Sequence, residues 1–225
     1  MKHAIAIDGP NGSGKSTIAR RVAKKLGFAY VDTGALYRAV GLFCMENGAD
    51  LNNPSEVEAC LTHVTLSVKY NYNRQFTYVN DRDVSTEIRT QEAAQAASMV
   101  ALVPKLREMV VETARGISVA ENVVMDGRDI GTVVLPHADL KIYLDASLET
   151  RTRRRLSELR RNNRPAVYEV VLEEIKERDH RDITRERSPL KVAEGAVVID
   201  SSDMNVGQVC GIILENWRRL RKAHG

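Results

Sequence analysis

The run Gly9-Pro10-Asn11-Gly12-Ser13-Gly14-Lys15-Ser16 has the spacing G-x-x-x-x-G-K-[ST], and each residue type in it meets a requirement of phosphate chemistry. Glycines at 9, 12 and 14 lack the Cβ that would stop successive backbone N–H groups from turning inward, so the loop can form a nest of donors around phosphate oxygens. A helix starting at Lys15 adds the partial positive charge of its N-terminus. The Lys15 ammonium can reach β- and γ-phosphates, the Ser16 hydroxyl is a ligand for Mg²⁺, and Thr17 completes the binding set. The ligand this predicts is a nucleoside triphosphate. Asp8 and Asp126 each end an apolar run. Either could assist Mg²⁺ through water or cap backbone groups, and the sequence favours neither role.

A second chemistry-bearing feature is a basic stretch. Between Arg151 and Arg187 there are twelve Lys/Arg and eight Asp/Glu, an excess larger than the +3 of the whole 225-residue chain. All the positive excess is therefore local, which points to a bound polyanion rather than to general solubility. Eleven of the twelve cations are arginine, whose planar fork suits phosphate better than an ammonium does. A GTPase should carry a guanine-reading Asn-Lys-x-Asp element, and the chain has none. An ATPase motor usually needs more than one small domain. A small kinase with a second, anionic acceptor remains, the basic stretch acting as a lid over two sets of phosphates.

Beyond the loop, five blocks carry a resemblance: Asp32-Thr33-Gly34-Ala35-Leu36-Tyr37-Arg38, Glu87-Ile88-Arg89-Thr90-Gln91-Glu92, Asp126-Gly127-Arg128-Asp129-Ile130-Gly131-Thr132-Val133-Val134, Lys141-Ile142-Tyr143-Leu144-Asp145-Ala146-Ser147, and Glu174-Ile175-Lys176-Glu177-Arg178-Asp179-His180-Arg181-Asp182. In this order they resemble the bacterial cytidylate kinases, a family of nucleoside monophosphate kinases, along essentially the full length. The resemblance implies phosphoryl transfer from ATP to CMP or dCMP with Mg²⁺. It implies one domain over 1–225 with a P-loop NTPase-type, five-stranded parallel sheet flanked by helices, an antiparallel monophosphate-binding insertion at about 63–90 and a helical lid at about 151–166.

By position, the resemblance gives Arg38, Arg128 and Arg185 to the acceptor's phosphate, Arg178 and Asp182 to its ribose hydroxyls, and Thr33 and Tyr37 to the pocket wall. Ser98, Arg107 and Asp129 would read the cytosine edge, while Arg151, Arg154 and Arg155 would face the ATP phosphates under a closed lid. Lys15, Arg128 and Arg185 are the catalytic candidates. Thr33 stands where some members have serine, which keeps the hydroxyl. The chemistry agrees on its own terms: cytosine presents an NH₂ donor and an N3 acceptor, so its reader needs an acceptor such as Asp129 or Ser98 and a donor such as Arg107. A phosphomonoester with a second pKa of about 6 is mostly a dianion at neutral pH, so no general base is needed and positioning with charge stabilisation suffices.

These side chains must be positioned by an α/β scaffold. Ala4–Ile7, Phe28–Val31, Val123–Met125, Leu140–Leu144 and Ala196–Ile199 are apolar runs without strict alternation, as in strands covered on both faces, and each is followed by an aspartate. Helical patterns lie at Lys15–Leu26, Ala35–Asn47, Gln91–Ala101, Pro104–Arg115, Ser147–Asn162, Tyr168–Arg181 and Val206–Lys222. The segment Val64–Val84 breaks this rhythm with alternation around Asn71-Tyr72-Asn73 and reads as an antiparallel hairpin. Hydrophobic residues at 43% and charged residues at 28% exclude a disordered chain. Cys44, Cys60 and Cys210 are odd in number and far apart, with no metal spacing, and read as buried thiols in a reducing compartment. The first residues hold neither a secretory nor a membrane-spanning run, so a cytoplasmic location is expected; a monomer acting on small molecules is expected as well. Nucleic-acid binding is disfavoured because Tyr168 is the one aromatic residue in the basic stretch, leaving no stacking platform.

Overall fold

The computed structural model describes residues 2–71, 74–161 and 163–223. Along the chain run β1 (Ala4–Asp8), α1 (Lys15–Leu26), β2 (Ala29–Asp32), α2 (Thr33–Glu46) and α3 (Pro54–Leu61), then β3 (Leu66–Asn71), β4 (Arg74–Val79) and β5 (Arg82–Asp83). After α4 (Gln91–Val100) and α5 (Pro104–Ala120) come β6 (Val123–Gly127), β7 (Leu140–Asp145), α6 (Leu148–Arg161), α7 (Tyr168–Thr184), β8 (Val197–Asp200) and α8 (Val206–Ala223). A five-stranded parallel sheet has the order β2-β6-β1-β7-β8, and a separate three-stranded sheet has the order β3-β4-β5. All five expected parallel strands are present, and each extends to include its aspartate, so Asp8, Asp32, Asp126, Asp145 and Asp200 lie at the strands' carboxyl ends. No described helix is long and apolar enough to cross a membrane.

The chain divides into two compact units, one of Met1–His3 with Ala23–Met125 and one of Ala4–Val22 with Asp126–Gly225. In the first, α2 is the central element. One side packs Leu36, Val40 and Cys44 against Val57 and Leu61 of α3 and against Val100, Val103, Leu106 and Val110. Its other side sets Ala35 and Ala39 against Val79, Val84 and Ile88 of the small-sheet segment. Burying each such Val or Leu is worth about 1.5–3 kcal/mol. Gly41 permits the close approach of α4, since a Cβ there would lie 2.9 Å from that of Ala96. β4 and β5 are joined by Asn80-Asp81, with φ of 48° and 64°, and the pairing Val79↔Arg82 makes this a two-residue hairpin of the primed kind that asparagine and aspartate tolerate.

Three elements differ from the sequence reading. α3 was not expected, because eight residues are too few for a periodic signal; Asn53 caps it and Pro54 opens it. α5 continues past Arg115 to Ala120 because Gly116 does not take the left-handed φ with which a glycine ends a helix. A third strand, β5, joins the hairpin. Of the expected turn, Tyr72 and Asn73 lie outside the described residues, as does Asn162 at the end of an expected helix.

In the second unit β1 pairs in parallel with β7, and β7 with β8. Ile5, Ala6 and Ile7 of β1 are wholly buried, consistent with a run of apolar residues covered on both faces. α6 and α7 pack through Leu159, Val171 and Ile175, and Arg151 of α6 also reaches Asp179 of α7. α8 buries Val209, Cys210, Ile213, Leu214 and Trp217, one stripe at helical spacing.

Candidate active site

In the second unit, the run Gly9–Gly14 connects β1 to α1. Gly9, Gly12 and Gly14 have φ of +147°, +78° and +93°, the left-handed region that glycine enters without penalty. A Cβ on Gly9 would lie 2.0 Å from the Leu144 carbonyl oxygen of β7, so no other residue fits there. The loop is held from one side by its carbonyls. Asn11 O accepts from Arg151 Nη1 at 3.2 Å, and Ser13 O accepts from Arg154 Nη1 at 3.2 Å and from Ser201 Oγ at 3.3 Å. Because a trans peptide points its C=O and the next N–H in opposite directions, the amides of Gly12 and Gly14 face away from those arginines, as an anion nest requires.

Lys15 is 5% exposed, and its Nζ donates to Pro10 O at 2.7 Å. Burial, and then the Arg128 charge, push its pKa well below the ordinary lysine value against the pull of Asp126 and Asp182. Ser16 Oγ donates to Asp126 Oδ2 at 2.8 Å. Asp8 takes the capping role: its two carboxylate oxygens accept from Ile130 N at 2.8 Å and Gly131 N at 2.7 Å. It thereby fixes the single π-type turn Ile130–Val134 that follows Asp129.

Burial pushes the Asp8 carboxyl up to about 6, although the two backbone N–H groups work the other way. The folded value lies above the unfolded one, so its stabilising contribution is full below about pH 4 and is lost as pH rises through about 6. The stability advantage of the unsubstituted protein over Asp8→Asn should therefore be smaller at pH 7 than at pH 4.5 by about 2 kcal/mol, at ~1.4 kcal/mol per pKa unit. Urea unfolding at the two pH values checks this; a constant difference would refute it.

Around Lys15 lies a charged group from the strand ends and α7. Arg128 Nε donates to Asp182 Oδ2 at 2.7 Å, with side chains 17% and 11% exposed. Burial opposes the Arg128 charge, but Asp182, Asp126 and Asp179 outweigh it and hold the guanidinium above its ordinary value. For Asp182, burial is outweighed by Arg128, Arg178 and Arg185, and its carboxyl is held below the usual range. Arg185 Nη2 stands 3.9 Å from Asp129 Oδ1 in a buried pair, and its Nε donates to Ser188 O at 2.7 Å. Arg151 is buried, its Nη1 also 2.5 Å from Asp179 Oδ2. Arg154 Nη2 donates to Ser201 O at 2.6 Å, whereas Arg155 turns to Glu158 at 2.9 Å. Lys15, Ser16, Arg128, Asp129, Arg178, Asp182 and Arg185 are thus brought together. Among the α6 arginines, Arg151 and Arg154 touch the loop and Arg155 is engaged on its own helix.

The first unit holds the remaining candidates. Asp32 caps α2 by accepting from Ala35 N at 3.0 Å, and its other oxygen accepts from Arg38 Nη2 at 2.8 Å. Thr33 is thereby fixed as the first residue of α2, with Tyr37 and Arg38 one turn on. Arg107 of α5 is buried, donates to Ala101 O at 3.2 Å and lies over the Tyr37 ring at 5.8 Å from its centroid. Ser98 is buried on α4. Asp32 and Asp179 were not among the expected site residues. Asp32 stood in a quoted motif as a strand-ending carboxylate, which was its available signal. Among the described residues, no three His, Cys, Asp or Glu side chains converge as a metal cage.

A phosphate-binding loop after the central strand of a parallel sheet, with a cluster of cations around its lysine, defines a P-loop kinase. A gluconokinase from Sinorhizobium meliloti 1021 has a similar fold, with a TM-score of 0.50 at 13% identity, covering 98% of this chain and 94% of that one. The family model for cytidylate kinase matches residues 5–219, and the chain belongs to the cytidylate kinase family. It is 45% identical to the cytidylate kinase of Caldanaerobacter subterraneus subsp. tengcongensis over 97% of this chain and 96% of the relative. The cytidylate kinase of Caldicellulosiruptor bescii is 41% identical over the same shares.

Proposed function

We propose that this chain transfers the γ-phosphoryl group of ATP to CMP or dCMP, giving CDP or dCDP and ADP. The observation that carries the reading is the cluster of Lys15, Arg128, Arg178 and Asp182, close enough to shift one another's ionisation, beside a glycine loop shaped for phosphate. Within the cluster the Lys15 ammonium is disfavoured by burial and by the charges of Arg128 and Arg178, and a phosphate in the loop supplies the counter-charge that offsets both.

In this reading, the amides of the loop and Lys15 hold the donor's β- and γ-phosphates. Arg38, Arg128 and Arg185 hold the acceptor's phosphate, its dianion attacking the γ-phosphorus without a base. Arg178 and Asp182 bind the ribose hydroxyls; Thr33 and Tyr37 wall the pocket. The three guanidiniums spread positive charge over oxygens whose negative charge grows in the transition state. Arg151 and Arg154 act from the outer side of the loop by fixing its carbonyls, and the 151–166 segment covers the donor. Ser16 and Asp126 offer only oxygen donors, which fits Mg²⁺, an ion that keeps several waters and takes substrate phosphates for its other positions. Ser16 and Asp126 would hold the ion, which would supply charge neutralisation to the phosphates in transfer. The same reading has the protein acting as a cytoplasmic monomer on small molecules, without nucleic-acid or membrane partners.

Specificity rests on Ser98, Arg107 and Asp129. A carboxylate accepts from the cytosine NH₂ but would face the uracil carbonyl unpaired, a difference worth about 1–3 kcal/mol. Comparing kcat/KM for CMP, dCMP, UMP and AMP tests the reading, and a preference for UMP or AMP over CMP would defeat it. Asp129→Ala should lower the CMP/UMP ratio about tenfold, with the KM for ATP little changed. An unchanged ratio would mean that another group reads the base.

A further inference from the structure

Gln75 sits in β4 of the small sheet, 9% exposed, with both ends of its amide engaged. Its Oε1 accepts from Asp32 N at 2.7 Å, and its Nε2 donates to Asp32 O at 3.2 Å and to Thr77 Oγ1 at 3.2 Å. A side-chain amide can grip a backbone N–H and C=O of the same residue without carrying charge, because it has a donor and an acceptor side by side. The residue so gripped is the cap of α2 and the carboxylate partner of Arg38. Asp32 therefore has backbone and carboxylate engaged at once: its main chain to the small sheet, one oxygen to α2, the other to the guanidinium.

This arrangement has a directional consequence. The Asp32 side chain can aim Arg38 only as well as its own backbone is fixed. β2 is four residues long, and Asp32 is its last residue. Gln75 holds both main-chain groups of Asp32 there, from a strand 43 residues away in sequence. We propose that Gln75 is a positioning residue for the acceptor's phosphate: through Asp32 it sets the orientation of Arg38, and this is how the inserted sheet acts on the reaction. The proposal rests on the assignment of Arg38 to the acceptor's phosphate.

The test is a double-mutant cycle between positions 75 and 38, with the KM for CMP and the KM for ATP measured separately. Gln75→Met keeps the volume and removes both hydrogen bonds. It should raise the KM for CMP about five- to tenfold, as expected for lost hydrogen bonds of ordinary strength, while the KM for ATP stays within about twofold. In an Arg38→Ala background the same substitution should change the KM for CMP by less than about twofold, since the residue it acts through is gone. An equal rise in both KM values, or a full-sized effect in the Arg38→Ala background, would reduce Gln75 to a structural residue and overturn the relay. Arg38→Ala raising the KM for CMP while Gln75→Met leaves it unchanged would overturn the relay alone. Arg38→Ala without effect would overturn the Arg38 assignment itself, and the relay with it. Should Gln75→Met not fold, Gln75→Glu supports the same comparison. It keeps an acceptor for Asp32 N and loses the donor to Asp32 O, so it should raise the KM for CMP in the Arg38 background and leave it within about twofold in the Arg38→Ala background; equal effects in the two backgrounds would contradict the relay.

Discussion

Lys15→Ala is expected to lower kcat by on the order of 10³ while leaving the fold intact. The two halves of that outcome come from the same observation. Lys15 is buried among Arg128 and Arg178, and its charge is disfavoured there. Its proton is held by Pro10 O at 2.7 Å and by the pull of Asp126 and Asp182. A γ-phosphoryl group in transfer presents more negative charge than any of these, so the ammonium gains most of its partnership only when the reaction is under way. Losing such a contact in a water-poor site costs several kcal/mol of transition-state stabilisation. Losing the same ammonium from the resting protein removes a buried like-charge repulsion, so thermal denaturation should show a Tm equal to or above that of the unsubstituted chain. Steady-state kinetics would exclude the loop as the reacting site if more than about a tenth of the turnover remained.

Asp182→Ala is expected to damage both stability and acceptor binding. Asp182 is the strongest attraction holding the Arg128 charge against burial, and removing one partner of a buried ion pair typically costs 3–5 kcal/mol. The side chains are 17% and 11% exposed, so water can relieve part of that, and about 3 kcal/mol is the expected loss in urea unfolding at pH 7. The loss should shrink on acidification. The folded carboxyl lies below its unfolded value, so its contribution is present above the ordinary carboxylate range and disappears as pH falls through the depressed folded value. Asp182→Asn keeps an oxygen that can accept from Arg128 Nε and should lose less. With a stability change under 1 kcal/mol in Asp182→Ala, the view of this pair as the anchor of Arg128 would fail.

The phosphate loop was legible in the sequence because its chemistry is local: eight consecutive residues specify the turn, the anion nest and the lysine, and β1 and α1 fall where the motif needs them. The parallel strands were legible for a related reason, since an apolar run closed by an aspartate reports burial on two faces and an end at the sheet's carboxyl edge. Asp8 was not assignable, because its partners Ile130 and Gly131 lie 122 and 123 residues away and nothing about an aspartate announces which distant amides it will meet. Gln75 gave no signal at all: a glutamine in an alternating strand looks like a solvent-facing residue until β4 is placed against the end of β2. The arginines of α6 show a third limit. Their composition pointed to phosphate, and position alone decided that Arg151 and Arg154 meet the loop's carbonyls while Arg155 pairs with Glu158.

That last contrast fixes where α6 can bend. Its first two turns are riveted: Arg151 joins Ala146, Asn11 and Asp179, and Arg154 joins Ser13 and Ser201. A pivot before Arg151 would tear all of these at once, and one between Arg151 and Arg154 would tear those of Arg154; either would pull the phosphate cradle out of shape. A pivot beyond Arg154 leaves them whole and carries 155–161 together with the start of α7, packed on it through Leu159, Val171 and Ile175, while the ion pairs Arg155–Glu158 and Lys176–Glu173 stay whole because each is contained within one helix. The fulcrum of any lid movement therefore lies past Arg154, and the base of the helix works as part of the anvil on which the donor phosphates rest.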